Sequence, residues 1–519
     1  MGKENKFMTS QTVRIDLNRV EGDLEFELDI ENNVITDARC IGTLYRGFEQ
    51  ILLNRAPRDA MVITPRVCGI CGTAHLYSAV LALEHAWQLP VPPNATRIRN
   101  LCLMAEGVQN DLRQTFLFFT VDFCDDLYQK HELYDEVVSA FAPFEGAFHR
   151  ETLEFSKKML EIVAIFGGQW PHSSYMLPGG VVTEPTSQRV IDCLDIVNTV
   201  SQWYEQRIIG DTLDNFLALD SAEAFFTWVE KEKPAHSGLG ILTRFARSIS
   251  LHQRGVGTPH MLSFGAYCDP ETWVAGAQSD QHWVKSGFYN GETGIISALN
   301  QNEITEHVRY SWFQDYEGGK HPWQGETVPD YQPQTDRYTW AKAPRYADKV
   351  VQTGPLAELL IDGDALMNDL LKQEGGNAWL RQCARIRRVA YTFAHIRRSL
   401  EELLHNLNEP HIIAPSPSVY TQDGEGYGLV TAARGALGHW VRIRDGVIDK
   451  YQIITPTAWN ASPKDSQGVR GHWEQSLIGL AVDDPENPVE IGHVIRSHDP
   501  CLVCTVHFVG TGKKITYRP

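Results

Sequence analysis

Apolar and polar side chains alternate along the first part of the chain, residues 11–45. Four apolar residues occupy every second position of one stretch: Leu24, Phe26, Leu28 and Ile30. A polar Glu31-Asn32-Asn33 segment separates them from a second apolar stretch. A period of two is typical of β-strands that bury one face, and a short polar segment between two such stretches is typical of a turn. The pattern therefore predicts a β-hairpin.

Helical spacing of apolar residues replaces this alternation after residue 45. We predict helices over five segments of the first half of the chain: 46–58, 72–89, 94–119, 146–166 and 186–216. A sixth, 376–408, follows a stretch from 253 to 356 that is rich in Gly, Pro, Trp and Tyr. Because that stretch has too many aromatic residues for disorder, we expect ordered loops and short strands there. Further short strands are predicted over three segments: 427–431, 440–455 and 489–496.

This order of elements predicts an α+β fold with a predominantly α-helical core and small β-sheets at its periphery. We expect a single domain, 1–519, with five successive regions: an N-terminal β-hairpin region (1–65), a helical core (66–252), a loop-rich aromatic region (253–375), a helix with C-terminal strands (376–507) and a C-terminal extension (508–519).

The predicted helix 376–408 carries six arginines: Arg381, Arg385, Arg387, Arg388, Arg397 and Arg398. Their pattern favours a solvated or ion-paired face over an anion site.

Composition narrows the class of protein. The chain has 519 residues, of which 43% are hydrophobic and 22% charged, and these proportions are typical of a soluble globular protein. The net charge of -18 and the lack of a long basic tract exclude DNA and RNA as expected partners. No window of about 18 apolar residues occurs, so we predict no membrane span. The first twelve residues are polar and have no apolar core of signal-peptide length.

Ten cysteines are distributed over the chain. Six of them are scattered within apolar segments: Cys40, Cys102, Cys124, Cys193, Cys268 and Cys383. Buried, reduced thiols are the ordinary interpretation of such cysteines. A reducing compartment follows from that interpretation. We therefore predict a cytoplasmic location, with association to a membrane only through partners.

The other four cysteines form two close pairs at opposite ends of the chain. We call them the first cysteine pair (Cys68 and Cys71) and the second cysteine pair (Cys501 and Cys504). Each Cys-x-x-Cys brings two sulfurs to one side of a single turn, so the two pairs together supply four soft ligands for a transition metal or a metal cluster. The helix predicted after Cys71 would favour thiolate over thiol, because a helix N-terminus is positive.

Spacing alone leaves three interpretations of these pairs open. A structural zinc site is the ordinary one for two Cys-x-x-Cys units, although such sites normally lie in small local modules. A thioredoxin-like redox site needs only one pair, at the head of a helix in a βαβ setting that the pattern does not contain. A transition-metal centre would require the two ends of the chain to meet, and hence a large and specific fold.

The sequence around each pair resembles a signature motif of the nickel-iron hydrogenase large subunit. The two strings are 66–75 (RVCGICGTAH) and 496–507 (RSHDPCLVCTVH). Five further segments are also similar to that family: 19–22, 46–49, 167–172, 433–437 and 455–460. The resemblance spans nearly the whole chain and is strongest for the uptake hydrogenases of cyanobacteria and their high-affinity aerobic relatives.

The resemblance implies the catalytic large subunit of a nickel-iron hydrogenase, which oxidises H2 to protons and electrons in the uptake direction. Nickel would be held by all four paired cysteines, and an iron carrying carbon monoxide and cyanide would share two of them. By position in the motifs, Cys68 and Cys501 would be terminal nickel ligands, whereas Cys71 and Cys504 would bridge the metals. Thiolates suit nickel because they are soft, strongly donating ligands.

Four residues match the catalytic positions of the family: Glu21, Arg434, Asp111 and Asp499. Glu21 would receive the proton that leaves the Cys501 sulfur. Arg434 would overhang the open coordination position, and the two aspartates would orient its guanidinium. Without the resemblance, Glu21 would be interpreted as a surface carboxylate, Asp499 as a turn former and Asp111 as a charge on a helix surface.

Four more residues match positions around the metals. Thr457 would donate a hydrogen bond to an iron-bound cyanide, and His75 would donate one to a bridging thiolate. A lone histidine at that place is otherwise an ordinary residue of a helix face. Glu49 and His507 resemble two ligands of a magnesium ion, or a similar hard cation, behind the active site.

Electrons would leave through a partner, because the sequence has no further cysteine cluster for iron-sulfur centres. The resemblance implies an iron-sulfur small subunit in an obligate heterodimer or a higher oligomer.

The residues after His507, 508–519, correspond to a tail that a maturation protease removes in this family. A hydrogen-sensing regulatory subunit, which typically lacks such a tail, and a zinc-stabilised structural protein stay open as alternatives. The related quinone-site subunit of respiratory complex I lacks the four cysteines.

Overall fold

The N-terminal alternation forms a three-stranded antiparallel sheet in the computed structural model, which describes residues 10–276, 280–484 and 487–502. Its strands, in spatial order, are β1 (Ser10–Asp16), β2 (Leu24–Glu31) and β3 (Val34–Gly42). The alternating apolar residues of β2 are buried. Asn32 and Asn33 form the turn with φ angles of 51° and 64°, which asparagine tolerates. The predicted hairpin is confirmed, with one strand added before it.

A helical core follows this sheet. Its helices are α1 (Phe48–Ile51), α2 (Asp59–Ile63), α3 (Gly72–Trp87), α4 (Pro93–Arg113), α5 (Tyr134–Phe141), α6 (Ala147–Gly167), α7 (Ser187–Trp203), α8 (Leu213–Leu217), α9 (Ala222–Val229), α10 (Glu232–Ala235) and α11 (Gly238–Ser248). Wider helical turns continue α4 to Phe119 and α7 to Ile209. The predicted helices of this region are confirmed in position, except that segment 46–58 contains only the short α1.

Two short strands lie between α6 and α7, and the second half of the chain mixes further short strands with helices. The strands are β4 (Met176–Leu177), β5 (Gly180–Val181), β6 (Met261–Cys268), β7 (His282–Asn290), β8 (Ile295–Ser297), β9 (Ile304–His307), β10 (Ala343–Tyr346), β11 (Gly424–Ala432), β12 (Gly435–Arg444) and β13 (Val447–Ile454). The helices are α12 (Pro355–Asp362), α13 (Ala365–Glu374), α14 (Ala378–His405), α15 (Pro456–Asn460), α16 (His472–Leu477) and α17 (Val489–Arg496). Small sheets around a helical core are the α+β architecture that the sequence predicts.

The strand predicted over 489–496 is wrong, because this segment is helix α17. Its fully buried apolar residues are Ile491, Val494 and Ile495. They recur at intervals of three and four, which place them on one face of a helix rather than of a strand. This helix leads directly into the second cysteine pair.

Helix α3 lies directly on strand β11, and glycines make this close approach possible. A Cβ atom added to Gly426 would be 2.0 Å from the Ala82 carbonyl oxygen, and one added to Gly428 would be 2.1 Å from the Ser78 carbonyl oxygen. Alternate residues of a strand point to the same face, so these two glycines present a flat backbone surface to the helix. The helix that follows the first cysteine pair is thereby fixed against the C-terminal half of the chain.

The arginines of α14 are mostly inside the protein, because this helix runs through the core. Arg381, Arg385, Arg387 and Arg388 are buried. Arg387 pairs with Asp364 at 2.7 Å. Ion pairing is confirmed for Arg387 and Arg388, whereas Arg381 and Arg385 donate to neutral acceptors, and the expected solvent exposure is wrong for all four. Buried guanidinium groups need such carboxylate and carbonyl acceptors to offset their loss of water.

The largest hydrophobic cluster contains Cys68, Cys71 and Cys501 together with residues of the long helices. The cysteines from the two ends of the chain therefore lie in one core. Among the described residues, no helix combines the length and the apolar character that crossing a membrane requires.

Candidate metal centre

The first cysteine pair lies in a tight loop at the start of helix α3. A short turn, Thr64–Arg66, delivers Cys68, and Cys71 occupies the N-cap position of α3. The backbone N–H of Ile70 donates to the Cys68 sulfur at 3.4 Å. Both cysteines are buried. The loop therefore keeps two sulfurs beside the positive end of a helix, which stabilises thiolates.

Cys501, of the second cysteine pair, is brought to the first pair by the N-terminal segment. The N–H of Glu21 donates to the Pro500 carbonyl at 3.3 Å, and the N–H of Leu502 donates to the Glu21 carbonyl at 2.6 Å. This parallel bridge carries Cys501 into the core, where its sulfur lies 3.5 Å from the sulfur of Cys68. A disulfide would require about 2.05 Å, whereas two sulfurs about 2.3 Å from one metal lie roughly 3.3 to 3.8 Å apart. The spacing suits a shared metal.

Cys504 and His507, and the extension 508–519, lie outside the described residues. Within the described ranges, no group of three or more His, Cys, Asp or Glu side chains is arranged as a metal site. The donor set that the sequence predicts has four thiolates, of which the structure describes three. The two predicted ends of the site nevertheless meet.

Glu21 lies beside this sulfur pair because its backbone pairs with Cys501. Partial burial raises the pKa of its carboxyl, and the nearby Cys68 raises it further. The positive charges of Arg434 and Arg46 act in the opposite direction. A carboxyl with a raised pKa next to a thiolate is suited to accept and release a proton. The surface interpretation of Glu21 does not fit this position.

Arg434 stands at the turn between β11 and β12, close enough to the cysteine sulfurs to interact with them electrostatically. Its Nε lies 3.0 Å from Asp499 Oδ1 and donates to the Asp499 carbonyl at 3.1 Å. Its Nη1 is buried and has no hydrogen-bond partner in the described part of the chain. Burial lowers the pKa of Arg434, but Asp499 and the cysteines outweigh this effect and hold it well above the ordinary value. The guanidinium therefore stays charged.

The two aspartates differ in their relation to Arg434. Asp499 contacts it directly, but Asp111 binds the guanidinium of Arg388 through two hydrogen bonds of 2.7 and 2.8 Å. Arg388 also donates to the Ala433 carbonyl at 2.5 Å. Within the described contacts Asp111 hydrogen-bonds Arg388 and not Arg434, so its predicted role in orienting Arg434 stays a prediction. Asp111 is buried and is not a surface charge.

Asn110 contributes a contact that the sequence interpretation missed. Its side-chain amide donates to Asp499 Oδ2 at 2.7 Å. Asp499 adopts a φ angle of 60°, so it is also the turn former that its position before Pro500 suggested. The amide and the guanidinium hold one carboxylate oxygen each. No sequence signal distinguishes Asn110 from other asparagines on helices.

His75 belongs to a buried chain of three polar side chains. Its Nδ1 lies 3.1 Å from Nε2 of His439, and Nδ1 of His439 lies 2.8 Å from the Tyr451 hydroxyl. Nε2 of His75 is buried and has no hydrogen-bond partner among the described residues. Burial lowers the pKa of His75 to about 4, so the ring is neutral near pH 7. His439 follows Arg434 closely in sequence, and this proximity was the available signal for it.

Thr457 is buried in the first turn of helix α15. The helix is capped by Thr455, whose hydroxyl oxygen accepts from the N–H of Ala458 at 3.2 Å. Because Thr455 performs the capping, the hydroxyl of Thr457 is not needed for this task. Its predicted role toward a ligand of iron stays a prediction.

Glu49 lies in a separate polar cluster with two residues that the sequence interpretation missed. Its Oε1 accepts from the N–H of Ile453 at 2.9 Å, and its Oε2 lies 3.5 Å from Nζ of Lys342. The same ammonium lies 3.4 Å from Glu306. Burial raises the pKa of Glu306 to about 7 despite Lys342. Hard oxygen donors are present where the sequence predicts a hard cation, but Lys342 already supplies a positive charge there.

Comparisons with known proteins agree with this geometry. A family model described as nickel-dependent hydrogenase matches residues 46–134 and 239–507. The periplasmic NiFeSe hydrogenase large subunit of Desulfomicrobium baculatum is 29% identical, over 95% of this chain and 93% of that protein. The uptake hydrogenase large subunit of Rhizobium leguminosarum bv. viciae is 26% identical, over 95% and 94%. The reduced Ni-Fe-Se hydrogenase from D. vulgaris Hildenborough superimposes with a TM-score of 0.79 at 29% identity, covering 96% of this chain and 100% of that one.

The predicted cytoplasmic location is wrong by the same comparison, because the relative from D. baculatum is a periplasmic protein. The six scattered cysteines are indeed thiols in the structure. A thiol forms no disulfide in any compartment unless a second sulfur lies within bonding distance. The cysteine pattern therefore does not report the compartment of this chain.

Proposed function

The chain belongs to the nickel-dependent hydrogenase family as a large, catalytic subunit, and from this we propose that it oxidises H2 to protons and electrons in the uptake direction. The observation that carries the proposal is the pair of sulfurs of Cys68 and Cys501, which lie 3.5 Å apart. The charged guanidinium of Arg434 interacts with both. The similarity to an uptake hydrogenase large subunit supports the direction.

The residues of the site fit a nickel-iron group. The described sulfurs are soft donors in a buried setting, which suits nickel more than a hard cation. Two buried donor nitrogens, Nη1 of Arg434 and Nε2 of His75, have no partner among the described residues. Both are explained if acceptor atoms of a bound group lie in front of them. When bound, the group supplies the heterolytic splitting of H2, and we propose that its iron carries carbon monoxide and cyanide.

Glu21 would handle the proton product. Its N–H donates to the Pro500 carbonyl and its carbonyl accepts from the N–H of Leu502, on either side of Cys501, so its carboxyl stays next to the sulfurs. The raised pKa makes the carboxyl a better acceptor for a proton from a neighbouring thiol than an ordinary glutamate. Removal of the carboxyl should stop proton exchange without removing the metals.

Arg434 would provide a fixed positive charge at the open side of the site. Asp499 holds its Nε, so Nη1 is aimed by a rigid contact rather than by a flexible side chain. A preorganised charge stabilises developing negative charge without reorganisation during the reaction. Asp111 would support this arrangement indirectly, through Arg388.

His75 would donate its Nε2 proton to a thiolate. If the Tyr451 hydroxyl donates to His439, the Nε2–H of His439 donates to Nδ1 of His75, and the proton of His75 is then fixed on Nε2. We further propose that the hydroxyl of Thr457 donates to an iron-bound cyanide. Both roles tune ligands of the metals and leave the metals themselves in place.

We propose that Glu49 and His507 hold magnesium or a similar hard cation. Glu306 supports this because its carboxylate is close to the same cluster. Magnesium prefers oxygen ligands and retains several waters. Magnesium analysis of the purified protein tests the proposal, and a Glu49→Gln variant with an unchanged magnesium content would remove Glu49 from the site.

Electron transfer requires a partner, which we propose to be an iron-sulfur small subunit in an obligate heterodimer. The support is the cysteine inventory of the sequence, which provides the two close pairs and no further cluster. We also propose that a maturation protease removes residues 508–519, since they follow the second cysteine pair directly. Mass spectrometry of the mature chain tests this removal.

Metal analysis combined with infrared spectroscopy tests the function. We expect nickel and iron in the purified enzyme, together with absorption bands of iron-bound carbon monoxide and cyanide. We also expect multiple turnovers of H2 oxidation with an artificial electron acceptor. Zinc in place of nickel would overturn the proposal in favour of a structural protein. A nickel-iron centre without multiple turnovers would favour a hydrogen sensor.

A further inference from the structure

Helix α3 begins with an unusual N-cap. The first N–H groups of a helix have no partner inside it, and a Ser, Thr, Asp or Asn side chain at the N-cap ordinarily accepts from them. Here the N-cap is Cys71, whose side chain makes no capping hydrogen bond. The free N–H groups of Thr73 and Ala74 therefore need an acceptor from elsewhere.

Glu106 of helix α4 supplies this acceptor. The N–H of Thr73 donates to Oε2 of Glu106 at 3.0 Å, and the N–H of Ala74 donates to Oε1 at 3.2 Å. The indole N–H of Trp170 donates to Oε2 at 3.3 Å. Glu106 is 1% exposed. One carboxylate thus joins the start of α3, helix α4 and the loop after α6.

Among the described residues the carboxylate forms no ion pair, and it accepts from the three N–H groups. Burial raises the pKa of Glu106 to about 7, although these donors act in the opposite direction. An unpaired buried carboxylate is costly unless a favourable field compensates. The positive end of α3 provides this field, and it is the same end that carries the first cysteine pair.

We propose that Glu106 is a positioning residue for Cys71: it caps α3 in place of the Cys71 side chain, fixes the start of the helix that carries this ligand, and sets a negative charge behind the ligand loop. The inference rests on the proposed nickel ligation by the first cysteine pair. Glu106 would then fix the geometry of the loop and also contribute to the electrostatic potential at the metal centre.

Glu84 offers a matched control on the same two helices. It is a buried glutamate in the last turn of α3, held by Arg99 of α4 at 2.7 Å. Twelve residues separate its position from that of Gly72, which corresponds to about 18 Å along the helix axis. A Glu84→Gln substitution disturbs α3 and α4 at the far end and tests whether any loss of helix stability reproduces the effect of Glu106.

The experiment compares wild type, Glu106→Gln, Glu106→Asp and Glu84→Gln as purified enzyme with its partner subunit at pH 8.5. Nickel content and the midpoint potential of the nickel paramagnetic resonance signal are measured. Glu106→Gln keeps the side-chain shape but removes the charge and one acceptor oxygen. We expect its midpoint potential to become more positive, because less negative charge near the centre favours the reduced form.

The aspartate variant separates charge from reach. Glu106→Asp keeps the charge but shortens the side chain by one methylene, so it should lower the nickel content while shifting the potential less than Glu106→Gln does. Glu84→Gln should retain the wild-type potential even if its thermal unfolding temperature falls. An unchanged potential and nickel content in Glu106→Gln, or the same potential shift in Glu84→Gln, would overturn the inference. Wild-type protein without nickel would instead refute the proposed function.

Discussion

Glu21 acquires its chemistry from residues that are remote in sequence. Its peptide group is held between Pro500 and Leu502, and its carboxyl is exposed to the fields of Cys68 and Arg434. Burial and the nearby sulfur both raise its pKa. The same carboxyl on an exposed strand would have no such properties, so its removal should affect proton transfer more than folding.

Glu21→Gln should suppress H2/D2 exchange by about 10²- to 10⁴-fold, the usual contribution of a positioned acid or base. Nickel and iron contents should stay at the wild-type level, because the amide preserves the shape and the backbone bridge to Cys501. Glu25→Gln, a nearby substitution on β2, is the control and should retain exchange. Exchange at the wild-type rate in Glu21→Gln would remove this residue from the proton path.

Arg434→Lys should lower H2 oxidation by about 10²- to 10³-fold at unchanged nickel content. The lysine ammonium keeps the positive charge but lacks the planar guanidinium. In Arg434 the guanidinium contacts Asp499 through Nε, while its Nη1 makes no hydrogen bond to a described residue. Arg442→Lys, at an ion pair with Glu425 on the periphery, is the matched control. Equal activity of the Arg434 and Arg442 variants would show that the fork geometry is not required.

Recognisable strings allowed roles to be predicted from the sequence for Glu21, Arg434 and the paired cysteines. Asn110 and His439 could not be identified with a role in the same way. Asn110 gains its role from Asp499, almost four hundred positions away, and His439 gains its role from His75. A single asparagine or histidine has no local pattern that specifies such a distant partner, so only the fold reveals the contact.

Contacts between elements explain why the helix after the first cysteine pair is so firmly placed. Strand β11 presents glycines to α3, and Glu106 caps the start of that helix from α4. The periodicity of the sequence predicts each of these elements separately, but it contains no information on which faces meet. The misassigned helix α17 illustrates the same limit, because a short apolar segment fits either period until its packing is known.

Gly428→Ala should destabilise the protein by about 1 to 3 kcal/mol, the usual cost of overpacking. Its new methyl group would lie 2.1 Å from the Ser78 carbonyl oxygen. Gly107→Ala in α4 is the control, since an added Cβ there meets nothing within 4 Å and alanine is the better helix former by about 1 kcal/mol. Thermal unfolding measures both. Equal unfolding temperatures would mean that β11 and α3 can separate at little cost.

Glu474 joins α16 to the N-terminal sheet and gives the protein a pH-dependent stability. It accepts from the N–H of Cys40 at 3.1 Å and from the Tyr338 hydroxyl at 2.7 Å. Burial raises its pKa to about 7, above the value of about 4.3 in an unfolded chain. The folded state therefore binds the proton more tightly, and this contribution to stability is complete below about pH 4.3 and is lost as the pH rises through about 7.

Glu474→Gln should make the unfolding free energy less dependent on pH between 5 and 8. The loss associated with Glu474 is on the order of 3 kcal/mol in the wild type. Burial raises the pKa of Glu106 and of Glu306 to about 7 as well, so part of the dependence should remain. Denaturant unfolding at several pH values measures the slope. Glu154→Gln on the exposed face of α6 is the control, and an identical slope in both variants would contradict the assignment.

The sulfurs of Cys68 and Cys501 bring segments near the two ends of the chain together. Cys501→Ser should abolish nickel binding and lower the thermal unfolding temperature, because a ligand that binds only the folded state stabilises it. Cys193→Ser, at a buried cysteine on α7 far from either pair in sequence, is the control and should retain nickel. Full nickel content in Cys501→Ser, measured on the purified enzyme, would contradict the shared site.

The bridge between Glu21 and the segment from Pro500 to Leu502 has a consequence for biosynthesis. Glu21 is synthesised early in translation, whereas its pairing partners Pro500 and Leu502 are synthesised much later. A nascent chain still attached to the ribosome can form the helices and small sheets, but its metal site is incomplete until Cys501 has emerged. If the cysteines of both pairs hold nickel, as proposed, nickel delivered during synthesis finds only the first pair in place, so loading is a late event in the life of this chain.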